Sequence, residues 1–172
     1  MSYRYSHVPS SEFLALVAEK EGVPPEHICL GSGSGQVLMF YAGYLEKAET
    51  MEGGNVVASI PSYVRFTQAM EKAGCESRLV PLNDELTDDL PAIKEQIDEN
   101  TKCVYICNPN NPTGAVADPA ALREFVIETS KTCPVMVDEA CASLSNALFS
   151  FIPSILSAAQ RHAVPSPSAC IS

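Results

Sequence analysis

Five short apolar, β-prone runs, His27 to Leu30, Asn55 to Ile60, Ser77 to Leu82, Cys103 to Cys107 and Pro134 to Val137, alternate with segments of helical period. Helices between successive strands carry the chain back to the edge where each strand began. The alternation therefore predicts an α/β fold, a mostly parallel sheet of five or six strands with crossover helices. The expected helices are Ser10 to Glu21, one carrying the face Val37, Leu38, Phe40, Tyr41 and Leu45, and Tyr63 to Ala73, capped by Ser62 and closed by Gly74. An acidic amphipathic helix is expected over Asp84 to Asn100, where Leu90, Ile93 and Ile97 recur at spacings of three and four, and another over Pro119 to Ser130.

Composition narrows the function classes. The 172 residues are 46% hydrophobic and 19% charged, enough for one domain with a real core. A formal charge of -10 without a basic cluster argues against nucleic acid or an anionic membrane as partner. The seven cysteines are odd in number and show neither a Cys-x-x-Cys pair nor zinc-like spacing, and His7, His27 and His162 share no metal-like spacing. No metal site is expected, and the cysteines fit a reduced, cytoplasmic setting. Met1 to Ser6 lacks a hydrophobic signal core, and no apolar run reaches the roughly 18 residues of a membrane span. From Ala140 onward the chain carries eight serines, seven alanines and a single formal charge, Arg161. That shift divides it into residues 1–141, the folded unit, and 142–172, an atypical Ser/Ala-rich tail whose end, His162 to Ser172, is expected to be unstructured.

Four segments carry candidate chemistry. Gly31-Ser32-Gly33-Ser34-Gly35 lies between a strand and a helix, where it is either a plain turn or a cradle offering backbone N–H groups to a phosphate. Gln36 stands where the dinucleotide fingerprint needs glycine, and no Gly-Lys-Ser/Thr follows, so neither nucleotide motif is present. Pro61-Ser62-Tyr63 places an aromatic ring near the carboxyl end of the sheet, as a stacking surface for a flat ligand or as an ordinary packed tyrosine. Asn108-Pro109-Asn110-Asn111-Pro112-Thr113-Gly114 follows a buried strand with side chains that do not belong in a core, and its prolines fix where Asn111 points. Asp138 ends the last apolar strand, where it either merely faces solvent or, if buried, needs a cationic partner: a ring nitrogen, or an arginine such as Arg65 or Arg123.

In their order and spacing, Gly31 to Gly35, Pro61-Ser62-Tyr63, Asn108 to Gly114 and Val137-Asp138-Glu139-Ala140 resemble the large domain of fold-type-I aminotransferases that use pyridoxal phosphate, most of all the histidinol-phosphate aminotransferase branch. The resemblance implies that Gly33 and Ser34 hold the cofactor phosphate, that Tyr63 stacks on its ring, that Asn111 bonds the ring hydroxyl oxygen and that Asp138 pairs with the pyridine nitrogen. It further implies that Tyr5 reaches the phosphate bound by the other subunit of a homodimer. The reaction it implies is amino-group transfer between an amino acid or amino phosphate and a 2-oxo acid, in amino-acid (histidine) biosynthesis.

Two departures from the family pattern stand out. Cys141 replaces the tyrosine that usually follows Asp-Glu-Ala, and the lysines at 20, 47, 72, 94, 102 and 131 all precede Asp138, with none matching the lysine that bonds covalently to the cofactor. No catalytic residue is therefore nameable. The expectation is a truncated large domain with little or no transaminase activity, or alternatively a remnant that binds pyridoxal phosphate noncovalently without catalysis.

Overall fold

The computed structural model describes residues 10–48, 51–142 and 169–171. In chain order the elements are α1 (Ser10–Glu21), β1 (Ile28–Leu30), α2 (Ser34–Ala48), β2 (Asn55–Ile60), α3 (Arg65–Lys72), β3 (Glu76–Pro81), α4 (Leu90–Glu95), β4 (Thr101–Cys107), α5 (Pro119–Thr129), β5 (Val135–Asp138) and β6 (Ala169–Ile171). Each apolar run becomes a strand, and strands and helices alternate as the sequence requires.

The main sheet has four strands in the order β3-β2-β4-β5, and every neighbouring pair is parallel. Successive side chains of a strand face opposite sides, so each central strand feeds two cores. Val56 and Ala58 of β2 and Cys103, Tyr105 and Cys107 of β4 pack with Leu38, Tyr41 and Leu45 of α2 and Phe66 and Met70 of α3. Val57, Val104 and Ile106 point the other way, onto Ile93 of α4 and Leu122, Phe125 and Val126 of α5. Helices thus cover both faces. Among the described residues no helix is long and apolar enough to cross a membrane.

The structure departs from the sequence reading in four places. β1 lies outside the main sheet and pairs in parallel with β6, Ile28 opposite Ala169 and Leu30 opposite Ile171. That pairing gives backbone order to part of the segment expected to be unstructured. The acidic helix shrinks from Asp84–Asn100 to Leu90–Glu95, because side chains of its own sequence cap shorter structures. The Asn83 carboxamide accepts from the N–H groups of Glu85 and Thr87, Asp89 caps α4 through the Ala92 N–H, and Asp98 accepts from the Asn100 N–H. Finally, Ser62 does not cap α3. The cap position is Val64, two residues on, and the Ser62 hydroxyl is a buried atom without a hydrogen-bond partner among the described residues.

Candidate functional site

The helix that follows β2, α3, covers one face of the sheet, whereas the helix that follows the adjacent β4, α5, covers the other. The two chains therefore part above the carboxyl ends of β2 and β4, leaving a crevice at the topological switch point where open α/β sheets take ligands. Three of the candidate segments border it. Pro61-Ser62-Tyr63 leaves β2, the asparagine turn leaves β4, and Asp138 ends β5 beside that turn.

Asp138 is opposite Cys107 in the parallel register, and its backbone carbonyl accepts from the Asn108 N–H at 3.0 Å. Its side chain is only 8% exposed. The Tyr105 hydroxyl donates to Oδ2 at 2.9 Å, and the Ala140 N–H donates to Oδ1 at 3.1 Å. Among the described residues no cationic side chain pairs with it, so neither Arg65 nor Arg123 fills that role. A buried carboxylate held only by neutral donors leaves room for a cationic partner.

The asparagine turn is closed by its own backbone: the Asn110 N–H donates to the Ala115 carbonyl at 2.8 Å, and the Gly114 N–H returns to Asn110 at 2.7 Å. Gly114 has φ +73°, a conformation in which a side chain would be strained. Asn108 is buried, its Oδ1 accepting from the Ala117 N–H. Asn110, buried as well, donates through Nδ2 to the Pro61 carbonyl at 3.2 Å and to Thr113 Oγ1 at 2.9 Å. Thr113 Oγ1 donates in turn to the Leu86 carbonyl at 3.1 Å. Asn111 is exposed, with its backbone N–H directed to the Cys107 thiol, the residue opposite Asp138. Burial pushes that thiol above its ordinary range.

The glycine segment meets the same region from α2. Gly33 has φ +86°, and its carbonyl accepts from the N–H groups of Gln36 and Val37 as the helix begins at Ser34. The Gln36 side chain reaches back to the Ser32 N–H at 2.6 Å. A Cβ on Gly35 would stand 3.4 Å from the Arg65 guanidinium and 3.7 Å from the Tyr63 hydroxyl, so the tyrosine of the β2 turn lies against the start of α2. Tyr63 thus adjoins the first turn of α2 at Gly35, one and two residues on from Ser34 and Gly33, while Asn111 and Asp138 are linked only through Cys107, which Asn111 bonds and Asp138 opposes. Tyr5 lies outside the described residues. Cys141 is half-buried, three residues past Asp138. Among the described residues no cluster of His, Cys, Asp and Glu could hold a metal ion.

Two contributors escaped the sequence reading. Tyr105 reads as part of an apolar run, and the signal that marks it is parity: residues 105 and 107 share a sheet face, and Asp138 lies opposite 107. Asn110 was overshadowed by Asn111, although it is the one that bridges the crevice.

Residues 3–164 match the family Aminotransferase class I and II. Histidinol-phosphate aminotransferase 1 of Bacillus cereus is 38% identical over 129 residues, which are 75% of this chain and 34% of that protein. Histidinol-phosphate aminotransferase 2 of Carboxydothermus hydrogenoformans is 35% identical over 124 residues, 72% of this chain and 33% of that protein. The chain spans about a third of the length of these curated relatives. Among solved structures, histidinol-phosphate aminotransferase from Sinorhizobium meliloti in complex with pyridoxal-5'-phosphate superposes with a TM-score of 0.66 at 24% identity, covering 83% of this chain and 38% of that one. Aspartate aminotransferase from Thermotoga maritima gives 0.69 at 21% identity, with 83% and 39% covered. Both of these likenesses are of fold. With its motifs in order around one crevice of that fold and the family match running from residue 3 to residue 164, the chain belongs to the class I and II aminotransferases.

Proposed function

We propose that residues 1–141 form the part of an aminotransferase large domain that holds pyridoxal phosphate, with 142–172 a distinct Ser/Ala-rich segment. The observation that carries this reading is Asp138: a buried carboxyl side chain at the end of β5, with neutral donors alone and no cationic partner among the described residues. A protonated ring nitrogen is the kind of partner that would complete it. When bound, pyridoxal phosphate supplies an electron-withdrawing ring and an aldehyde at which amino groups are exchanged.

The chain's own residues divide the work of holding it. Gly33 and Ser34, at the start of α2, bind the phosphate through backbone N–H groups and a hydroxyl. Tyr63 gives the ring an aromatic surface, the Asn111 amide donates to the ring oxygen without adding charge, and Asp138 keeps a proton on the ring nitrogen. Tyr5 contributes to the phosphate of a second subunit in a homodimer. The amino donor is an amino acid or histidinol phosphate, the acceptor a 2-oxo acid, and the setting cytoplasmic histidine biosynthesis.

A second reading, noncovalent binding without turnover, is favoured for the 172-residue chain by its lysines. Lys94 pairs with Glu128 at 3.2 Å on the surface, Lys20 lies beside Glu21, and Lys102 belongs to the opposite end of β4, against Gly54. None of these three borders the crevice. Equilibrium dialysis against pyridoxal phosphate, followed by borohydride reduction and peptide mapping, tests both readings. The expected result is saturable binding lost in Asp138→Ala, scattered lysine labelling and no multiple-turnover transamination. Absence of binding overturns both readings. Label concentrated on one lysine, or turnover abolished by Asp138→Ala, overturns the second.

A further inference from the structure

We propose that Tyr105 is a positioning residue for Asp138: its buried hydroxyl fixes the carboxylate plane toward a ring-nitrogen cation. This rests on the reading of Asp138 as the partner of the cofactor ring nitrogen. Tyr105 is 1% exposed, and its ring packs on Phe66 with centroids 5.3 Å apart. Its hydroxyl reaches diagonally from β4 to β5, because Tyr105 is opposite Met136 and Asp138 opposite Cys107, and both positions face the same side of the sheet.

One donor sits on each carboxylate oxygen, Tyr105 on Oδ2 and the Ala140 N–H on Oδ1, so the group cannot turn without breaking one of them. Each oxygen keeps a further lone pair. Both donors are neutral, which stabilises the anion without cancelling it, whereas an arginine in the same place would compete with a cationic ring. Burial together with the neighbouring Asp138 raises the phenol far above its ordinary range, so Tyr105 remains an O–H donor throughout the pH range in which the protein is folded.

Tyr105→Phe keeps the ring against Phe66 and removes only the donor. The test compares affinities of the full chain for pyridoxal phosphate and for its 1-deaza analogue, in which a ring C–H replaces the nitrogen. A bond to a charged acceptor is worth enough that Tyr105→Phe is expected to weaken pyridoxal phosphate by about tenfold or more. The analogue, having nothing for Asp138 to hold, is expected to change by less than about twofold on the same grounds. Replacing Tyr105 with 4-aminophenylalanine, which restores an N–H donor at the same place, is expected to recover most of the lost affinity and serves also if the phenylalanine variant does not fold. Equal weakening of both ligands, or no weakening of either, overturns the positioning role while leaving the cofactor reading intact. So does a 4-aminophenylalanine variant that folds but does not bind pyridoxal phosphate more tightly than Tyr105→Phe, or than a folded Asp138→Asn where the phenylalanine variant does not fold. Failure of the unaltered chain to bind pyridoxal phosphate overturns the cofactor reading and this inference together.

Discussion

Replacing Asn110 tests whether the crevice is held together by side chains that bridge its turns. Asn110 is 2% exposed, and its backbone bonds to Ala115 and Gly114 close the asparagine turn whatever side chain is present. The side chain ties that turn to Pro61 and bonds Thr113 Oγ1, which itself reaches the Leu86 carbonyl. A proline carbonyl can only accept, so the amide nitrogen must face it, and Oδ1 is left buried without a partner among the described residues. Asn110→Ala then removes two neutral hydrogen bonds of about 1 kcal/mol each, and deleting the unpartnered oxygen offsets roughly half of that. The expected loss is about 1 kcal/mol. Asn110→Asp keeps the shape but turns a carboxylate oxygen toward the Pro61 carbonyl, with the added cost of a buried charge, for a loss of about 2–4 kcal/mol. Urea unfolding followed by circular dichroism gives both values. If the aspartate variant is as stable as the alanine variant, the amide is not the bridge and the bonding pattern is wrong. Both variants are also expected to weaken pyridoxal phosphate, since Tyr63 lies two residues from the released carbonyl.

Further outcomes concern the acid range, the core and the thiols. Arg78 and Asn55 beside Asp98 hold its carboxyl down at about 2, so its stabilising contribution is present above about pH 4, the unfolded value, and is lost as pH falls toward 2. Urea midpoints of Asp98→Asn and the unaltered chain should therefore converge near pH 2. Asp88 is the opposite case: burial raises its carboxyl despite the Ser59 hydroxyl bond, so its ionisation opposes folding as pH rises through and above its folded value. Asp88→Asn should lose less stability than the unaltered chain between pH 4 and 7, and a parallel decline would refute this. Leu122→Ala, which empties a fully buried place between α5 and the sheet, should cost about 2–5 kcal/mol in the same unfolding assay. Among the described cysteines, a thiol reagent should label Cys29 and Cys141 in the native chain well before Cys75, Cys103, Cys107 and Cys133, as timed by mass spectrometry.

The element order was legible because each strand is a compact apolar run and strand–helix alternation leaves few ways to build a sheet. Helix lengths were less so. Leu90, Ile93 and Ile97 carry a helical period, but Asn83, Asp89 and Asp98 each bind nearby backbone N–H groups and cut the segment into a turn, a short helix and a second turn. Periodicity registers the apolar face and is blind to such competition. Ser62 failed as a cap for a related reason: a composition rule locates the residue type but not the φ/ψ at which the helix starts. In the site, Asn111 and Asp138 were visible as polar residues where a strand should end, whereas Tyr105 was hidden by being aromatic in an apolar strand. Its role depends on the register between β4 and β5, which no local pattern encodes.

The same contrast separates the two buried carboxylates. Asp88 stays inside the loop between β3 and α4, where its bond to Ser59 fastens that loop to β2 and its charge is a cost to the fold. Asp138 stands at the open end of β5, held by donors on both oxygens that come from outside its own strand. If Asp138 were only structural, a neutral residue of the same shape would serve as well, since burying a charge that has no charged partner is costly. Asp138→Asn should therefore leave the cofactor-free chain as stable or more stable while weakening pyridoxal phosphate sharply, and thermal unfolding with and without the cofactor reads both effects. A variant that loses stability in the cofactor-free chain would show that the charge belongs to the fold and not to a ligand.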